Sequence, residues 1–382
     1  MNKIFRAIGL ISGTSMDGFD LALIETDGLS SVKCGSHMSV DYAQSFRARL
    51  VSALQDARLL TNAVDRMERP GVLQPVEQQL TELHITAVKD FLQSNNLKPT
   101  DIDLLGFHGQ TVLHRPENRL TVQLGLGEML AHETGIACAY DFRTADVLAG
   151  GQGAPLVPVY HQALAMNAGL ALPIAVVNLG GVGNVTYLAE DDTILAFDTG
   201  PGNALLDDWI MRHTGQPMDR DGAIAAKGMV IEDVLSKLLD NPYFDKKPPK
   251  SLDRNDFDLA PLLTRLNDMS LEDGAKTLTA FTAHSLARAN SHLPVPPNTW
   301  IISGGGAQNP TLMAELKQHL SGKVMRADDI SSPGQTANWS SSFMEAEAFA
   351  YLAVRVEKGL PITFPTTTGV EMPMTGGKIA RP

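Results

Sequence analysis

A strand, a glycine-bounded polar turn and a returning strand occur twice in this chain, and the recurrence restricts the fold more than any other feature. Ile4–Ile11 and Phe19–Glu25 are apolar runs flanking Gly13-Thr14-Ser15-Met16-Asp17-Gly18. Near residue 174 the pattern returns: Ile174–Leu179, the turn Gly180–Asn184, then Val185–Ala189. A further strand follows each pair, at Val32–Val40 and Thr193–Phe197, and helical sequence follows both units. This reads as a duplicated α/β domain whose two turns face one cleft. Gly13 and Gly18 let the backbone close tightly, and the amide and hydroxyl donors left between them can hold phosphate oxygens, with Asp17 facing a phosphate-bound cation. Taken alone, one such loop is equally a polar hairpin without a ligand.

At 382 residues the chain exceeds the size at which one core stops growing, so two domains are expected. The boundaries drawn are 1–150 for an N-terminal lobe, 151–360 for a C-terminal lobe and 361–382 for a surface tail. The Gly-rich stretch Gly150–Pro158 is taken as their connection. A net charge of −12 argues against broad binding to nucleic-acid backbone. No apolar run approaches the roughly 20 residues of a membrane span, and Met1-Asn2-Lys3 leads straight into the first strand, so a cytoplasmic protein is expected. Cys34 and Cys138 form no CxxC pair and read as small hydrophobes in strands.

Several polar residues stand where strands end. His108 and Gln110 follow Ile102–Phe107 and can orient a substrate hydroxyl, although a loop-capping histidine fits equally. Arg143 can clamp a carboxylate or phosphate, or make an interdomain salt bridge. Asp198 closes the strand before the helix that starts at Ala204, where the helix dipole favours its ionised form. It can act as a general base or merely cap that helix. Gly304, Gly305 and Gly306 leave a surface free of side chains for a nucleobase or ribose. On the last helix Glu345 and Glu347 point to different sides, so one reaches the cleft and the other is a solvated charge. Residues 215–258 suggest no chemistry. No GxxxxGK[ST], GxGxxG or GxSxG motif occurs, and no histidine spacing makes a zinc site.

Taken together, Gly13–Asp20 (GTSMDGFD), His108–Thr111 (HGQT), Asp141–Pro158 (DFRTADVLAGGQGAPLVP), Asn178–Asn184 (NLGGVGN), Asp198–Asn203 (DTGPGN) and Ser303–Pro310 (SGGGAQNP) resemble the anhydro-N-acetylmuramic acid kinases. That family lies within the superfamily of sugar kinases, actin and heat-shock ATPases. The resemblance implies an α/β, two-lobed, duplicated actin-like (ribonuclease H-like) ATPase fold with a central interlobe cleft. It also implies an enzyme that uses ATP and Mg2+ to open the 1,6-anhydro ring of a cell-wall amino sugar and phosphorylate the freed oxygen. By motif, Gly13, Thr14, Ser15, Met16, Asp17, Gly18, Phe19 and Asp20 would bind ATP phosphate, together with Gly180, Gly181, Asn184 and the glycine triplet, and Asp17 would face the metal. Asp198 would activate the attacking water. His108, Gln110, Arg143 and Glu345 would meet the sugar, with Arg143 suited to its lactyl carboxylate. A homodimer is expected. The alternatives are a kinase acting on a free hydroxyl, and an ATP-switched binding protein like the heat-shock ATPases, for which no separate peptide-binding domain follows.

Overall fold

The computed structural model of the chain describes residues 3–13, 16–252, 257, 269–332 and 339–382. Two compact units emerge: Met1–Gly169 with Ser332–Ala337 and Phe343–Pro382, and Leu170–Ser331 with Asn338–Ser342. The first holds β1 (Phe5–Ser12), β2 (Gly18–Thr26), β3 (Val32–Asp41), β4 (Leu104–Arg115), β5 (Leu120–Leu124), β6 (Cys138–Tyr140) and β12 (Lys378–Ala380). The second holds β7 (Ile174–Leu179), β8 (Val182–Leu188), β9 (Ile194–Pro201), β10 (Thr299–Ser303) and β11 (Lys323–Arg326).

The duplication is visible in the strand orders. In the first sheet β3-β2-β1-β4-β6 run side by side, with β12 beyond β6 and β5 paired to β4. In the second the order is β9-β8-β7-β10-β11. In both, the first three strands form an antiparallel meander and the next two join parallel to its first strand. Helix Leu73–Ser94 buries Val76, Leu80, Val88 and Phe91 in the first core, the face its apolar spacing foretells. Helix Met344–Glu357 crosses β1 and β4 at Gly9 and Gly106, where a Cβ would strike the backbone of Ala346 or Phe349. In the second unit, helices Leu271–Arg288 and Pro310–His319 pack on the sheet around Trp300, Tyr187 and Phe197. Among the described residues no helix is long and apolar enough to cross a membrane.

Three expectations about boundaries change. The stretch Gly150–Pro158 is not a connection between units, because both its flanks belong to the first. Gly153 N–H donates to Asp146 Oδ1 at 2.6 Å, and Gln152 N–H donates to the Thr368 carbonyl at 2.7 Å. Helix Met344–Glu357 and the tail after residue 361 also belong to the first unit, since the helix covers the first sheet. Finally, β4 and β9 run on through His108–Thr111 and Asp198–Pro201, so these polar clusters sit inside strands rather than at their ends. A glycine within each cluster resembles a turn in sequence, yet here it bends the strand. At Gly109, with φ of 73°, the pairing of β4 with β1 shifts register.

Candidate active site

In the first unit the turn after β1 is built from behind. Tyr42 OH donates to Ser12 Oγ at 2.9 Å, and Ser12 Oγ donates to Gln110 Oε1 at 2.5 Å. Gln110 Nε2 in turn donates to the carbonyls of Gly13, at 3.2 Å, and Thr111, at 3.3 Å. Gln110 is buried, with both ends of its amide engaged by protein, so it holds the turn and does not face a sugar. Thr14 and Ser15 lie outside the described residues. Met16 takes φ of 53° and packs on the core, and Tyr42 N–H donates to the Asp17 carbonyl at 2.8 Å. Gly18 pairs with β3 so closely that a Cβ would strike the Val40 carbonyl. Phe19 is turned into the core against His84 with ring centroids 3.9 Å apart, which leaves only its backbone for a ligand.

Asp17 is exposed and Asp20 half-buried. Ser39 Oγ donates to Asp20 Oδ1 at 2.5 Å. Burial raises the Asp20 carboxyl above its ordinary value, and the negative charge of Asp17 pushes the same way. A cation between the two would relieve that repulsion, so the pair fits a nucleotide-borne Mg2+. No group of three or more acidic, histidine or cysteine side chains able to hold a metal by itself occurs among the described residues.

His108 and Arg143 form a second group. Arg143 Nε donates to His108 Nε2 at 3.0 Å, so the proton of the neutral ring sits on Nδ1, which donates to the Gly109 carbonyl at 2.8 Å. Burial, aided by the guanidinium, holds the His108 pKa well below the imidazole range. His108 therefore stays neutral and orients Arg143. Arg143 Nη1 also donates to the Gly153 carbonyl at 2.6 Å, and the side chain makes no direct ion pair among the described residues. Burial lowers its pKa to about 10, with Glu345 and Asp146 acting against that shift. Glu345 is exposed on the side of Arg143, whereas Glu347 is buried and accepts a hydrogen bond from Tyr160 OH at 2.9 Å. The solvated charge expected for the second acid is thus a core carboxyl, raised to about 7 by burial.

A cavity of about 400 Å3 opens in the same unit, with His108 and Tyr140 in its wall. Its charged lining balances: Arg66, Arg69 and Lys378 against Glu77, Glu128 and Asp141. An uncharged, hydroxyl-bearing body suits such a wall better than a lone ion.

In the second unit four polar residues lie in register across the sheet. Ser303 pairs with Asn178, Asn178 with Asn184, and Asn184 with Asp198. In the turn between β7 and β8, a Cβ added at Gly180 or Gly181 would meet nothing nearer than 3.8 Å, so both glycines present bare backbone. Their carbonyls anchor the start of helix Ala204–Thr214: Asn203 N–H donates to Gly180 O at 2.8 Å and Gly202 N–H to Gly181 O at 2.9 Å. Within the triplet only Gly305 is exposed; Gly304 and Gly306 are small because Asn178 and Leu179 press on them.

Asp198 does not cap the helix. Its N–H donates to the Lys250 carbonyl at 3.0 Å, its own carbonyl accepts from Tyr243 OH at 2.7 Å, and its Oδ2 accepts from Leu252 N–H at 2.8 Å. Contrary to the ionised form expected from the helix dipole, burial dominates and raises its pKa to about 7, with the Leu252 hydrogen bond working the other way. The residue as a whole is half-buried. Sequence reasoning missed Tyr42, Ser12 and the segment around Asp198. None belongs to a glycine turn or a periodic stretch, and Pro242–Leu252 reads in sequence as a polar, proline-containing loop.

The class these features define is a duplicated α/β fold, two sheets of the same strand order that each open on a strand, a glycine-bounded turn and a returning strand. The family described as Anhydro-N-acetylmuramic acid kinase matches residues 5–382, and the chain belongs to it. Proteins with that name from Methylobacterium nodulans and Rhodopseudomonas palustris are 51% and 50% identical, each match covering 99% of this chain and 100% of the relative. One from Azorhizobium caulinodans is 52% identical, with 99% of both chains covered. Among solved structures, the activator of the 2-hydroxyisocaproyl-CoA dehydratase from Clostridium difficile with bound ADPNP is a loose likeness. Its TM-score is 0.46 at 10% identity, over 92% of this chain and 96% of that one.

Proposed function

We propose that the protein opens the 1,6-anhydro ring of 1,6-anhydro-N-acetylmuramic acid with water and transfers the γ-phosphoryl group of ATP to O6. The products are N-acetylmuramic acid 6-phosphate and ADP, in peptidoglycan recycling. The observation that carries this reading, beside family membership, is a strand carboxyl raised to about 7 in a cross-strand row with the neutral side chains of Asn184, Asn178 and Ser303. Such a group takes a proton from water near neutrality.

In this reading Asp198 removes a proton from water as its oxygen attacks the anomeric carbon. The bond from that carbon to the bridging oxygen breaks, and O6 takes the phosphoryl group as its bond to ADP breaks. The turn Gly13–Asp20 binds the phosphates with backbone amides, held from behind by Gln110, while Gly180, Gly181 and Gly305 offer bare backbone to the nucleotide. Asn184 orients Asp198 from the neighbouring strand. Asp17 and Asp20 would hold a nucleotide-borne Mg2+, which would supply charge neutralisation on the phosphates. Arg143, aimed by His108, receives the lactyl carboxylate, and Glu345 beside it reaches the sugar. A homodimer in the cytoplasm completes the proposal. Incubation with Mg-ATP and the anhydro sugar is expected to yield the 6-phosphate and ADP, and Asp198→Asn to abolish both; unchanged anhydro sugar with active-site residues intact would refute the reading.

A further inference from the structure

The segment Pro242–Leu252 lies along β9, the edge strand of the second sheet, and covers it at one residue. Three polar groups of Asp198 are taken by this segment: its N–H by Lys250 O, its carbonyl by Tyr243 OH and its Oδ2 by Leu252 N–H. Oδ1 is the carboxylate oxygen that these contacts leave for another partner. The segment is fastened to itself as well. Lys250 Nζ donates to the carbonyls of Tyr243, at 3.1 Å, and Phe244, at 3.3 Å, and lies 4.6 Å from the centre of the Tyr243 ring. His292 Nε2, from the turn after helix Leu271–Arg288, lies 2.8 Å from the Phe244 carbonyl oxygen. An edge strand needs its outward groups covered, but a strap built only for that would have no reason to place an amide on a carboxylate oxygen.

We propose that Tyr243 and Lys250 are positioning residues for Asp198, folding Pro242–Leu252 into a strap that fixes one carboxylate oxygen and presents the other to the attacking water. The inference rests on the reading of Asp198 as the base. The ammonium of Lys250 closes the strap by drawing two carbonyls together, and the Tyr243 hydroxyl ties the closed strap to the β9 backbone. Only then does Leu252 N–H meet Oδ2, which stabilises the ionised carboxylate against its burial. Among the described residues, the charged and titratable groups around Asp198 are Tyr243 and Lys250 of the strap, with His292, Asp245 and Lys246 acting on Lys250; Asn184 on β8 is neutral.

The test compares Tyr243→Phe, Lys250→Met and Lys250→Arg with the unmodified protein, with Asp198→Asn as control. The expected result is a fall in kcat of about tenfold to a hundredfold in the first two variants. KM for ATP should stay within about twofold, the acid limb of the kcat profile should move to higher pH, and Lys250→Arg should recover part of the loss. A wild-type kcat and unmoved limb in Tyr243→Phe and Lys250→Met, with Asp198→Asn inactive, overturns the strap alone. Activity surviving in Asp198→Asn overturns the underlying reading instead. If Lys250→Met fails to fold, Tyr243→Phe decides, because it removes one hydroxyl and little volume.

Discussion

Asp198 and Glu347 are both carboxylic acids that burial raises to about 7, and their neighbours determine what each does with the proton. Asp198 is half-buried and has a row of neutral side chains beside it, so it can exchange protons with a bound water. Glu347 is enclosed, with the Tyr160 hydroxyl on it and Cys34 nearby, and serves packing. The expected pH dependence follows from the first. Asp198 works deprotonated, so kcat should rise with pH through about 7, and it should fall again above about 8, where Lys250, its pKa lowered to about 8 by burial, loses the proton that closes the strap; a pH–rate profile of the purified enzyme checks this. Arg143→Ala should raise KM for the anhydro sugar about tenfold or more, the loss of a charge-assisted hydrogen bond, and leave KM for ATP nearly unchanged. Steady-state titration of each substrate measures the split. At this scale the sequence made Asp198 and Arg143 visible as charges beside glycine clusters. The residues that hydrogen-bond Asp198, Tyr243 and Leu252, lie about fifty positions away, and no local pattern carries them.

The turn after β1 depends on a chain of hydrogen bonds from β3's end to β4: Tyr42 to Ser12, Ser12 to Gln110, and Gln110 to the Gly13 carbonyl. Gln110→Ala should therefore raise KM for ATP several-fold, since the turn loses its brace, about 1 kcal/mol for each hydrogen bond lost. KM for the sugar should move less. Equal rises in both would place Gln110 at the sugar after all. The strands themselves were readable: β1, β2 and β7 fall within a residue or two of their apolar runs, because alternation and flanking glycines mark them. The two strands that run past their expected ends, β4 and β9, do so through Gly109 and Gly200. A glycine that bends a strand and one that ends it look alike in a single sequence.

Across the whole molecule, duplication was legible because each copy repeats its apolar spacing, and both sheets keep the same strand order. The allocation of segments was not. Helix Met344–Glu357 follows the second sheet in sequence but covers the first, because Gly9 and Gly106 leave room there for its backbone. Glu347 on that helix gives a test of the packing. Its carboxyl is raised from 4.5 to about 7 in the folded chain, so its contribution is fully present below about 4.5 and lost as pH rises through about 7. Glu347→Gln, which can still accept from Tyr160, should remove a pH-dependent loss of up to about 3 kcal/mol between those limits. Urea denaturation of both proteins at pH 5 and 8 measures it: the variant should gain on the unmodified protein at pH 8.

On the proposed reading, one chain couples opening of the anhydro ring by water to phosphorylation of the released oxygen. Mass spectrometry of the product formed from Mg-ATP and 1,6-anhydro-N-acetylmuramic acid in oxygen-18 water tests it most directly. A 6-phosphate carrying one heavy oxygen at the anomeric carbon, absent with Asp198→Asn, is the predicted result. Recovery of intact anhydro sugar, together with unlabelled phosphorylation of a sugar bearing a free hydroxyl, would contradict it and make Asp198 the base of an ordinary sugar kinase.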